Sequence, residues 1–166
     1  SSFKLVPVQS SAPANTKGAP QNSSPDLSAK MLQLEQYLQQ HPTDAEAWAQ
    51  MGHLFFDTHQ YADAIKAYTR SLEIQPDNPP VITDMGVMYR RNKQPEKAIE
   101  AFDRAIQVDP NFETAMFNKG IVLLYDLKDV PAGLAAWEDL LRVNPMAMAP
   151  NGESVDALIR QIRDSQ

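Results

Sequence analysis

The sequence predicts an all-α fold built from repeated helix pairs, and three observations predict it. Gly52, Gly86 and Gly120 recur at intervals of 34 residues. Pro42, Pro76 and Pro110 keep the same interval, and Pro145 follows 35 residues later. Between these marks the apolar residues fall at helical rather than strand spacing. The longer last interval places one extra residue in the third unit, expected in the turn around Asp129 to Pro131.

The elements follow in order. Leu27, Met31, Leu34 and Leu38 form one stripe, predicting an extra helix over 27–41 that ends before Pro42. The first repeat, 45–78, carries Trp48, Met51 and Phe55, then Ala64, Tyr68 and Leu72 after a polar break. Each set occupies one face, so the unit is two amphipathic helices. The second, 79–112, has Ile82, Met85 and Tyr89, then Ala98, Phe102, Ala105 and Ile106, with Gly86 and Ala98 small where two backbones are expected to approach. The third, 113–146, has Met116, Gly120 and Leu123, then Gly133, Trp137 and Leu140. Lys119 stands there in place of Met51 and Met85, which predicts a looser junction. Val155, Leu158, Ile159 and Ile162 make a last stripe over 152–165, the covering helix that a repeat array needs. Thr43 with Glu46 fits a capping box, and Asn78 before Pro79 fits an N-cap followed by proline in the first turn. The four repeat prolines close the helices before them, because proline cannot continue the hydrogen-bond ladder.

Composition narrows the function. Fifteen basic and 21 acidic residues leave a net charge of −6, which supplies no chain-wide field for nucleic acid or anionic lipid. No apolar run reaches the ~18 residues of a membrane span. The absence of Cys removes disulfides and thiolate metal sites. Residues 1–28, with seven Ser and four Pro, read as a flexible tether whose only apolar patch is Phe3 to Val8. The chain opens on Ser-Ser rather than Met, and a signal peptide, anchor helix or tag is expected to have preceded it. His53 and Asp57 lie one turn apart, but two ligands do not close a metal site, and His41 and His59 sit at turns. No phosphate loop, nucleophile elbow or HExxH is present, so neither catalysis nor a cofactor is expected.

The pattern Trp48, Gly52, Phe55, Ala64, Tyr68, Pro76, echoed as Gly86, Tyr89, Ala98, Phe102, Pro110, resembles the tetratricopeptide repeat (TPR) over Ala45 to about Met146. The resemblance implies a right-handed superhelix and a role in protein–protein interaction, since the fold alone does not specify a function. It also implies that the first helix of each pair lines a concave groove. The stripe one position from the core then runs Ala49, His53, Phe56; Thr83, Val87, Arg90; and Phe117, Ile121, Leu124, with Asp57, Arg91, Asn118 and Tyr125 beside it. Such a partly apolar groove suits a peptide or helix of a partner protein. Alternatively the Phe3 to Val8 patch or the last helix covers it, or the chain binds copies of itself as a homo-oligomer. The TPR subtype that grips chaperone C-termini carries a Lys, Asn and Arg clamp. Here the matching positions hold Ala49, His53, Asp84, Thr114 and Asn118, and Asp84 would repel a carboxylate.

The segment from Leu34, LEQYLQQHPTDAEAWAQMGHLF, is similar to the start of the repeat domains of bacterial cytochrome c maturation factors. That resemblance implies a periplasmic domain behind a membrane anchor, holding the C-terminal tail of an apocytochrome or a partner lyase subunit. A cytoplasmic location is the alternative.

Overall fold

The computed structural model describes residues 25–166. The expectations for the tether and for the Phe3 to Val8 patch lie outside the described residues. Eight α-helices make up the described chain: α1 (Pro25–Gln40), α2 (Ala45–Asp57), α3 (Tyr61–Ile74), α4 (Pro79–Arg91), α5 (Pro95–Val108), α6 (Glu113–Ile121), α7 (Val130–Val143) and α8 (Val155–Asp164). A π-helical turn, Val122–Asp126, continues α6. Helix α1 begins inside the segment assigned to the tether. Pro25 needs no N–H in a first turn, and Asp26 favours the positive helix end while pairing with Lys30 at 3.1 Å. The four repeat prolines each stand two residues beyond the ends of α1, α3, α5 and α7.

The chain divides into two compact units, the first ending at Pro76 and the second beginning at Asp77. In the first, α1 packs on α2 and α2 on α3. Leu34, Leu38, Ala47, Met51, Leu54 and Ala67 form its core, flanked by Leu27, Met31, Tyr37, Trp48 and Phe55. Polar contacts fix the joints: Ser71 Oγ donates to the Ala45 carbonyl at 2.7 Å, and Trp48 Nε1 donates to the Pro42 carbonyl at 2.9 Å. The N-cap of α2 is Asp44 rather than Thr43, because Asp44 accepts from the Ala47 amide at 3.1 Å. Asp44 also accepts from the Tyr37 hydroxyl at 2.7 Å, joining α1 to the start of α2. Burial pushes the Asp44 carboxyl upward, but the Tyr37 hydroxyl and the Ala47 and Glu46 amides outweigh it and hold the group below the ordinary carboxylate value.

In the second unit α4 packs on α5, α5 on α6, α6 on α7 and α7 on α8. Asn78 caps α4 as expected, accepting from the Val81 amide, with Pro79 in the first turn. Met116, Leu124, Trp137, Leu140, Ala147, Val155 and Ile159 form one cluster of this unit's core, so α8 buries its apolar stripe against the last repeat. Lys119, in the Met51 and Met85 position, pairs with Asp103 of α5 at 2.7 Å instead of entering the core.

The nearest neighbours of the repeat glycines are rings of the second helices. A Cβ on Gly52 would lie 2.5 Å from the Tyr68 ring, one on Gly86 2.6 Å from Phe102, and one on Gly120 2.1 Å from Trp137 Nε1. One large residue of each second helix thus seats on the glycine of the first, and Tyr68, Phe102 and Trp137 are all fully buried.

The extra residue of the third repeat is not in the turn. Each turn within a pair contains one left-handed residue, at His59, Lys93 and Lys128. In the first two pairs the amide after it, Gln60 or Gln94, reaches back five residues to Phe55 or Tyr89. In the third, Asp129 reaches back six, to Leu123. The added residue is absorbed upstream by the π-helical turn.

Candidate functional site

In the first unit, α2 carries the positions assigned to the partner-facing stripe. Ala49 is buried, so it belongs to the packing and not to an open surface. Phe56 is half-buried and His53 exposed. His53 Nδ1 is hydrogen-bonded to the Tyr68 hydroxyl at 2.6 Å, and the rings meet edge-on at 5.4 Å. The same repeat positions hold Val87 with Phe102 and Ile121 with Trp137. Of the three rings only Tyr68 carries a hydroxyl, and its repeat has the histidine that bonds to it. His53 is therefore built into the repeat, and a partner would meet its outer edge.

In the second unit, Thr83 is buried, contrary to its place in the expected stripe. Val87, Arg90, Phe117, Asn118 and Ile121 are half-buried, and Arg91 is exposed. Phe117 lies parallel to Trp137 with centroids 5.5 Å apart, and its carbonyl accepts from Trp137 Nε1 at 3.1 Å. Leu124 departs most from expectation. It is 6% exposed and packs in the core, in contact with the Gly133 backbone. The π-helical turn explains this: with one residue added after Gly120, Leu124 falls in register with Phe55 and Tyr89, not with Phe56 and Arg90. Tyr125 takes the outward register instead and is 50% exposed.

The turn also brings in a residue that the sequence analysis did not single out. Asp126 accepts from Arg90 Nε at 2.6 Å and from Nη2 at 3.2 Å, a two-point ion pair between the end of α4 and the end of the π-helical turn. No local signal announces this contact, because it spans 36 residues and depends on the phase of the helix. Among the described residues, no group of three or more His, Asp or Glu could hold a metal ion, and no helix is long and apolar enough to cross a membrane.

Helix pairs closed by a left-handed residue, with a glycine under a ring of the second helix, define a tetratricopeptide-repeat protein, and solved structures share the fold. MamA matches with a TM-score of 0.68 and 18% identity over 72% of this chain and 70% of MamA. MamA from Desulfovibrio magneticus RS-1, beginning at its residue 41, matches at 0.67 and 18% over 72% and 67%. The first TPR of Spaghetti (RPAP3), bound to an HSP90 peptide, matches at 0.59 and 22% over 73% and 91%. No curated protein matches the chain in sequence. The family described as cytochrome c-type biogenesis protein H TPR domain matches residues 9–146, and the chain belongs to this family.

Proposed function

We propose that the chain is a non-enzymatic adaptor that holds a peptide or helix of a partner protein during cytochrome c maturation. Family membership across residues 9–146 carries this reading. The occupant is the C-terminal tail of an apocytochrome, with a partner lyase subunit as the alternative. Half-exposed apolar side chains on the first helices of the second unit support a surface of this kind: Val87, Phe117 and Ile121, with Tyr125 at the end of the π-helical turn. The location is periplasmic, on a membrane tether, a reading supported by the Ser/Pro-rich composition of residues 1–28.

The test is a titration of the whole chain with a labelled C-terminal peptide of a c-type apocytochrome, beside the same peptide scrambled. Binding of the native peptide alone is expected, weakened about ten-fold or more by Val87→Arg with Tyr125→Arg. Leu124→Arg is unsuitable, because it would place a charge in the core. Equal binding of both peptides, or no binding, rejects the reading.

A further inference from the structure

The second unit contains a cleft of about 510 Å³ lined by Arg90, Arg91, Lys93, Pro95 and Asp126. Three cations and one carboxylate surround it, in a chain whose net charge is −6. Four of the eight residues from Arg90 to Lys97 are basic and one is acidic. The corresponding turns are different. Asp57 to Asp63 contains two Asp and no Lys or Arg, and Asp126 to Pro131 contains two Asp and one Lys. The repeat therefore does not require these cations.

The geometry points to a binding site for the carboxylates of an acidic peptide segment in this cleft. The inference rests on the peptide-binding reading above and names a chemistry for one part of that surface. Asp126 already occupies the Nε and Nη2 edge of Arg90, so that ion pair fixes one wall of the cleft and the excess positive charge comes from Arg91 and Lys93. Arg91 and Lys93 stand exposed on the same turn, at the mouth of the cleft. At the end of α4, Asn92 donates to Met88, Lys93 to Arg90 and Gln94 to Tyr89, so turn amides satisfy these carbonyls. The volume is ordinary for an organic ligand and far larger than one phosphate requires. An extended polyanion such as nucleic acid, or an anionic lipid surface, would meet the acidic remainder of the chain, whereas a short peptide meets only the cleft.

Fluorescence anisotropy of the whole chain with labelled hexaglutamate tests this, with labelled hexalysine as the control. The expected result is binding of hexaglutamate only, weakening with added salt as an interaction between exposed charges must. Arg91→Glu with Lys93→Glu should weaken it about ten-fold or more. Arg142→Glu with Arg160→Glu makes the same change in net charge on α7 and α8 and should leave binding unchanged. Should the first pair lose its helical circular dichroism, Arg91→Gln with Lys93→Gln replaces it. An equal loss in both double variants, binding of hexalysine, or displacement by equimolar inorganic phosphate overturns the inference. Loss of hexaglutamate binding beside intact binding of the apocytochrome peptide rejects the cleft alone, while failure of the apocytochrome peptide rejects the adaptor reading itself.

Discussion

The α4–α5 and α6–α7 pairs lie in the same unit and follow the same plan, yet one residue sets them apart. Both seat a ring of the second helix on a glycine of the first, Phe102 on Gly86 and Trp137 on Gly120. Downstream of that glycine, α4 runs straight to its turn, while α6 passes through the π-helical turn. The added residue rotates everything after it by about 100° on a helix of 3.6 residues per turn. Leu124 enters the core, Tyr125 faces outward, and Asp126 reaches Arg90. Gly133 stands where the earlier pairs have Ala64 and Ala98, and a Cβ there would lie 2.4 Å from Leu124 Cγ. The insertion and this glycine are thus two halves of one packing solution. A repeat accommodates an extra residue by changing which side chain is buried, not by lengthening its loop.

The largest effect tests the part that the two pairs share. Phe102→Ala and Trp137→Ala should each cost about 3–5 kcal/mol in denaturant unfolding, since both side chains are fully buried. Trp137→Ala should be the costlier of the two, because it also removes the donor to the Phe117 carbonyl. A cost below about 1 kcal/mol for either would break the comparison at its root.

The next test addresses where the pairs differ. Gly133→Ala should destabilise by about 1–3 kcal/mol through overpacking, despite the higher helix propensity of Ala. Adding Leu124→Ala should make the Gly133→Ala step milder or favourable, a coupling that a double-mutant cycle reads directly. Additive effects would mean that Leu124 and Gly133 are independent.

The smallest expected effect concerns the ion pair that the insertion creates. Asp126→Ala should change stability by only about 0–1 kcal/mol, because the Arg90 and Asp126 side chains are 39% and 27% exposed. A larger loss would mean that the pair holds the π-helical turn in place.

Much of the fold was legible in the sequence. Gly, Pro and the apolar stripes act over one or two helical turns, so their spacing marked every helix and every pair. The Leu34 segment also pointed to the family to which the chain belongs. The candidate surface was less legible. Ala49 and Thr83 were placed by register alone, and a register cannot say how deeply a neighbouring element covers a residue. Leu124 was misplaced because the 35-residue interval reveals that a residue was added, but not where.

By itself the sequence determined the helix count, the repeat length, the proline stops and the caps at Asn78 and Pro79. Each follows from backbone chemistry within a few residues. Tertiary structure alone decided that the added residue is wound into α6, that the glycines receive rings, and that Arg90 finds Asp126 36 residues away. These outcomes depend on which of two helix phases buries more apolar surface against α7, a comparison that exists only once the helices are packed.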